Sequence, residues 1–335
     1  MPKKCIQPGS REEWQEAVDA AHTLLLVDSA RQYGLIIGGP NVHIKRCEEI
    51  LRQGHERGIR PTDDCVERIL GLKQILGVKN GTGFILLDGV GIAKGRIYLI
   101  TNRHILPPEG APKEIQLRVV VAQTEGRTKV EEISVPIVGG NGKYLPSVRV
   151  HSDPATDVAA VNIGTAAFSS KFQMLIKALT TGKYLNSSML LPTRRMDSES
   201  VGVGTQVYIL GYPAAIVDPR NVSPVLRVGV ISTDPQDGFN FNEELRRTVG
   251  FPEHINGFLL DANIYPGSSG SLVVLAPERC RCDAKAPDRA YILGIVSGSI
   301  PIFDASLHAY SRIGLGMVYS ADTIKEVLDS FSVTH

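Results

Sequence analysis

Ser269 stands in the run Tyr265-Pro266-Gly267-Ser268-Ser269-Gly270-Ser271, with one glycine two residues before it and another directly after. That spacing marks a sharp turn that exposes a hydroxyl. A hydroxyl is a poor nucleophile unaided; it needs a neighbouring base and an acid that orients the base. Two upstream residues could supply them. His104 closes the apolar run Ile97-Tyr98-Leu99-Ile100-Thr101-Asn102-Arg103-His104, and Asp157 opens Asp157-Val158-Ala159-Ala160-Val161-Asn162-Ile163. Taken singly, Ser269 also fits an ordinary glycine–serine turn, Asp157 a strand cap and His104 a satisfied core histidine. Taken together, the three residue types are those of nucleophilic acyl transfer, in the chain order His, Asp, Ser.

The elements that must hold them are mostly strands. From residue 78 the chain becomes a series of short valine- and isoleucine-rich runs separated by glycine turns. The pattern predicts strands near 82–87, 95–101, 115–122, 130–138, 147–151 and 157–163, and again near 205–212, 225–233, 257–262, 270–275, 290–297 and 314–319. Gly139-Gly140-Asn141-Gly142 reads as a hairpin turn, and Ser320 as the cap of a last helix over 321–331. Residues 1–77 read differently. Ser10 with Glu13 forms a capping box, with Trp14, Val18, Ala21 and Leu25 following at helical spacing. Further helices are expected from Val42 to about Arg57 and from about Asp63 to Leu76.

These motifs resemble those of trypsin-like (chymotrypsin-fold) serine proteases, nearest the bacterial HtrA-type branch. Thr101-Asn102-Arg103-His104 is similar to that family's histidine motif, Thr156-Asp157-Val158-Ala159 to its aspartate motif, and Asp261 to Gly270 to the approach to its nucleophile. Gly81-Thr82-Gly83-Phe84-Ile85, Val207 to Pro213 and Leu293-Gly294-Ile295-Val296-Ser297-Gly298-Ser299 are weaker matches in the same order. The resemblance covers roughly residues 78 to 331. It implies a mainly β fold of two six-stranded antiparallel β-barrels, with an N-terminal helical domain and a C-terminal helix. Barrel one would span 78–165, a connection 166–203, barrel two 204–320 and the terminal helix 321–331, with no room for a PDZ domain.

By the same resemblance, the catalytic residues would be His104, Asp157 and Ser269, and the backbone N–H groups of Gly267 and Ser269 would form the oxyanion hole. Ser297, Gly298 and Ser299 would pair with the substrate backbone, and Asn263 would floor the specificity pocket. A neutral floor removes the usual anchor for Arg or Lys and leaves a small or medium apolar P1 residue as the expectation. The alternative class is a catalytically silent trypsin-fold module that holds a peptide in its cleft. One departure stands out. Digestive relatives carry aspartate before the nucleophile, pairing with a freshly cleaved amino terminus; here the residue is Ser268. Leu35-Ile36-Ile37-Gly38-Gly39 resembles that terminus but reads as a loop between helices, so activation by insertion is not expected. The segment Asp234 to Asn256, with Phe239, Phe241 and Phe251, is expected to control activity by ordering.

Composition bounds the rest. The 335 residues, 43% hydrophobic and 21% charged, are ordinary for a globular protein. A net charge of +1 implies no nucleic-acid partner, and no apolar run approaches a membrane span. Met1 to Pro8 has no apolar stretch of a secretion signal. Five cysteines, Cys5, Cys47, Cys65, Cys280 and Cys282, do not read as a disulfide framework. The residue after His104 is Ile105, where digestive relatives place a bridging cysteine. These features point to a cytoplasmic protein. No metal or other cofactor is expected: Cys280 and Cys282 have the wrong spacing for a zinc site, and His43 with Cys47 offers only two ligands. The expected partners are a protein or peptide substrate and a protein that residues 1–77 recruit.

Overall fold

The computed structural model describes residues 24–29, 79–89, 96–124, 127–164, 185–213, 216, 224–276, 291–304 and 309–332. The part of the first expected helix before Leu24, the helices expected over 42–57 and 63–76, and all five cysteines lie outside them.

The described chain is mainly β. Strands β1 (Leu24–Ser29), β2 (Lys79–Asp88), β3 (Arg96–Thr101), β4 (Lys113–Thr124), β5 (Arg127–Val138), β6 (Val148–Val150), β7 (Ala159–Asn162) and β8 (Leu185–Asn186) make one sheet. Its order is β5-β4-β1-β2-β3-β7-β6, with β8 added to β2. Strands β9 (Gln206–Gly211), β10 (Val225–Ile231), β13 (Gly257–Asp261), β14 (Leu272–Leu275), β15 (Ile292–Asp304) and β16 (Ala309–Ser320) close a six-stranded barrel in the order β10-β13-β16-β15-β14-β9. Between β10 and β13, β11 (Phe239–Asn240) and β12 (His254–Ile255) pair around the short helix Glu243–Val249.

The twelve strands read from the sequence are present, each within a few residues except at β15 and β16. These two run on as a long hairpin to Asp304 and from Ala309. The first set differs in one respect. Leu24–Ser29, which begins inside the span read as helix, is a strand wedged between β2 and β4. The run Leu24-Leu25-Leu26-Val27 satisfies either period, and a vacant strand edge decided it, because unpaired backbone groups seek a ladder. The first sheet therefore has a member drawn from before residue 78, and its β5 and β6 edges do not meet among the described residues.

Alternate residues of the apolar runs serve two cores. Ile85, Leu87, Leu99, Leu117 and Val135 fill the first sheet, and Val207, Ile209, Leu260, Val273 and Val318 fill the closed barrel. Their neighbours Phe84, Leu86, Ile100, Leu210, Leu272 and Tyr319 form a third cluster between the two. Such strands are buried on both faces, which is why they read as unbroken hydrophobic runs. The helix Ala321–Asp329 closes that cluster with Ile324, Val327 and Leu328. Ser320 occupies its N-cap position, but the hydroxyl makes no capping bond; instead its carbonyl accepts from the Thr323 hydroxyl at 2.8 Å. The hairpin turn at 139–142 forms as expected, closed by Gly142 N–H to Gly139 O at 2.9 Å.

Candidate active site

His104 lies in a single 3-10 turn, Arg103–Ile105, at the end of β3. Gly81 makes room for it: a Cβ there would stand 2.5 Å from the Ile105 side chain. Asp157 lies in the turn between β6 and β7. Asp153 builds that turn, accepting from the Ala155 N–H at 2.9 Å and the Thr156 hydroxyl at 3.0 Å. The Ala155 N–H holds the Asp153 carboxyl below its ordinary pKa. Tyr319 of the closed barrel donates its hydroxyl to the Ala155 carbonyl at 2.6 Å, and burial pushes that phenol's pKa up. The Asn102 side chain donates to the Asp157 carbonyl at 2.7 Å. The aspartate is thus fixed from both halves of the molecule.

Its carboxylate makes three bonds. Oδ1 accepts the His104 backbone N–H at 2.9 Å, and Oδ2 accepts the His104 ring Nδ1 at 2.6 Å and the Ser297 hydroxyl at 2.5 Å. A carboxylate has no proton to give, so Nδ1 carries it and Nε2 is left as the basic nitrogen. The Asp157 side chain is 19% exposed and that of His104 43%. The carboxylate is sheltered and the imidazole is open.

Ser269 is half-buried in the loop between β13 and β14. Its hydroxyl donates to the Ser297 carbonyl at 2.8 Å. Among the described residues no hydrogen bond joins it to His104, and Ser297 links the serine to the Asp157–His104 pair. Gly267 and Gly270 both lie at φ +86°, where L side chains are strained. A Cβ on Gly270 would also fall 1.7 Å from the Thr82 carbonyl oxygen. The loop is closed by Ser268 N–H to Tyr265 O at 3.0 Å and Gly270 N–H to Val296 O at 2.8 Å. The N–H groups of Gly267 and Ser269 have no acceptor among the described residues.

Ser297, Gly298 and Ser299 lie on β15. Gly298 and Ser299 face Met317 and Gly316 of β16, and β14 ends its pairing at Ile295. Among the described residues, therefore, no strand covers the other edge of 297–299. Asn263 is exposed, and its carbonyl accepts from Arg227 Nη1.

Sequence reasoning missed three contributors. It gave Ser297 a backbone role and did not foresee its hydroxyl on Asp157. It gave no role to Arg227, whose Nη2 reaches the Ser268 hydroxyl at 3.1 Å. That guanidinium has no carboxylate partner among the described residues, its Nε is buried without a partner, and burial lowers its pKa. Thr82, buried on β2, is the third. Thr82 and Ser297 lie in motifs matched in the sequence, but nothing local marks the roles of their hydroxyls or of Arg227.

A closed six-stranded barrel packed on a second β-sheet, with His, Asp and Ser gathered at the junction, defines a trypsin-like architecture. The profile of the trypsin-like peptidase domain matches residues 81–279, more than half of the chain, and the chain belongs to that family. No curated protein matches it. Similar solved structures include Rv3671c from M. tuberculosis H37Rv, an inactive serine-to-alanine mutant, at 13% identity and TM-score 0.40 over 99% of this chain and 100% of that one. A thermostable serine protease AL20 from an extremophilic microorganism is 10% identical, with TM-score 0.42 over 95% and 100%. HBP is 11% identical, with TM-score 0.39 over 76% and 86%. All three are distant likenesses. Among the described residues no helix is long and apolar enough to cross a membrane.

Proposed function

We propose that this peptidase is a serine endopeptidase that works through an acyl-enzyme. Ser269 turns from the Ser297 carbonyl toward His104, Nε2 takes its proton, and Oγ attacks a peptide carbonyl. The Gly267 and Ser269 N–H groups stabilise the oxyanion, and His104 returns the proton to the leaving amine. Water then repeats the cycle on the ester. The substrate adds as an antiparallel strand along Ser297, Gly298 and Ser299. Asn263 sits at the pocket floor, and buried Ile264 lies against Gly316, where a Cβ would meet it at 2.5 Å; this supports a small or medium apolar P1 residue.

The observation that carries the reading is the 2.6 Å bond between His104 Nδ1 and Asp157, which leaves Nε2 basic. The test is a serine-directed fluorophosphonate. Wild-type protein should label, and Ser269→Ala should not; equal labelling of the variant would falsify the assignment. His104→Ala should also abolish turnover. The second reading, a silent peptide-binding module, is favoured by one fact: the Ser269 hydroxyl is bonded to Ser297 and not to His104. Resting enzymes often tighten that bond only with substrate in place. A wild type that binds peptides but neither labels nor cleaves would establish the module.

The cysteine pattern supports a cytoplasmic protein. Residues 1–77 are assigned to recruitment or regulation, and Leu24–Ser29 within them joins the protease sheet. Because a chain beginning at Leu76 would lose β1 from the sheet, a chain beginning at Ala20 tests this: it should cleave a generic peptide as well as the full chain does while losing a partner in pull-downs. A fragment that precipitates would make the segment a brace.

A further inference from the structure

We propose that Thr82 is a positioning residue for the oxyanion hole, acting through its hydroxyl on the Gly267–Ser268 peptide; the proposal rests on the endopeptidase reading above. Thr82 belongs to Gly81-Thr82-Gly83-Phe84-Ile85, a motif to which the chemistry so far assigns nothing. It is fully buried on β2, on the same side as Phe84 and Leu86, which pack between the two β units.

All three of its polar groups are committed, and they make three bonds across the junction. The hydroxyl accepts the Tyr212 N–H at 3.0 Å and donates to the Gly267 carbonyl at 2.9 Å. The Thr82 N–H donates to the Ser269 carbonyl at 2.7 Å, and its carbonyl accepts the Thr101 hydroxyl at 2.8 Å. One residue of the first sheet therefore holds the carbonyls of both residues whose N–H groups face the oxyanion. Gly267 needs such a hold. At φ +86° it has glycine's conformational freedom and no side chain by which to be gripped, so its carbonyl is the available handle. Released, Gly267 can turn about its φ and ψ, and its N–H, which belongs to the adjoining Pro266–Gly267 peptide, can swing away from the developing negative charge. Electrostatic stabilisation depends on donors already in place, and a misplacement of about 1 Å can cost on the order of 10²-fold.

A buried hydrogen bond across a junction can also be merely structural, and the test separates the two. Thr82→Val keeps the shape and removes the hydroxyl. Its kcat should fall about 10- to 100-fold with KM within about twofold. Affinity for a peptide aldehyde, which forms an oxyanion adduct on Ser269, should fall by a similar factor. Thr82→Ser restores the hydroxyl and should return both to within about threefold of wild type. If Thr82→Val does not fold, Thr82→Cys, whose thiol is a poor donor, is read in the same way. A folded variant lacking the hydroxyl with kcat within about twofold of wild type overturns the proposal, even if it melts lower, and so does a Ser variant that fails to restore kcat. A wild type that neither labels with fluorophosphonate nor turns over overturns the endopeptidase reading and this proposal with it; an active wild type with an equally active Val variant overturns only this one.

Discussion

Removing the Ser297 hydroxyl should disarm His104 without touching it. The hydroxyl meets Asp157 Oδ2 at 2.5 Å, on the same oxygen that holds the His104 ring at 2.6 Å. A hydrogen bond to a charged group contributes about 1.5–3 kcal/mol, and Ser297 is only 7% exposed, so solvent competes weakly for this one. If the loss falls wholly on the transition state, at about 1.4 kcal/mol per decade, Ser297→Ala lowers kcat about 10- to 150-fold. The change spares the Ser297 carbonyl and the backbone edge of 297–299, so KM should stay within about twofold. The assay is steady-state hydrolysis of a peptide ester and a peptide amide, alongside Asp157→Asn and the double variant. Because both single changes act on one carboxylate, their effects should be strongly non-additive. A Ser297→Ala variant with unchanged kcat, or with raised KM and normal kcat, would show that the hydroxyl does not orient the aspartate.

Arg227→Met removes a half-buried cation that has no carboxylate partner among the described residues. It should leave the melting temperature near wild type, since replacing buried charge by apolar volume is often neutral. It should also slow fluorophosphonate labelling about tenfold by freeing Ser268 and Asn263, about 1.4 kcal/mol of barrier; an unchanged rate would make Arg227 a bystander. Phe241→Ala breaks the stack with Phe251 at 4.7 Å and the edge contact with Phe239 at 5.0 Å. If the 234–256 segment controls the site, kcat should change at least about tenfold, and kinetics on the folded variant decide. Phe331→Ala removes a ring 4.8 Å from Tyr98 and 5.0 Å from the Arg149 guanidinium. It should cost about 3 kcal/mol of stability and several degrees of melting temperature, as large buried aromatic truncations do. The depressed Asp153 carboxyl contributes stability present above its unfolded pKa and lost as pH falls through the folded one. Asp153→Asn should therefore flatten the acid limb of a melting-temperature profile, by a small amount because the turn is exposed; an identical acid limb would refute the linkage.

What could be read from the sequence is what local physics decides. Glycines around Ser269 mark positive φ because few other residues tolerate it, and Gly267 and Gly270 indeed lie there. Glycines at 139–142 make a hairpin turn for a related reason. The valine and isoleucine runs announce strands, since pleated, doubly buried backbone suits them, and the order of His104, Asp157 and Ser269 limits the architectures that could join them. What could not be read is who meets whom. Thr82 and Gly267 are 185 residues apart, Asp157 and Ser297 140, and Arg227 and Ser268 41. Those meetings depend on register, and a slip of one residue would turn each side chain to the opposite face. The same holds for Leu24–Ser29, whose run is compatible with helix or strand. Only the assembled sheet, with an edge between β2 and β4 to satisfy, decides that it is a strand.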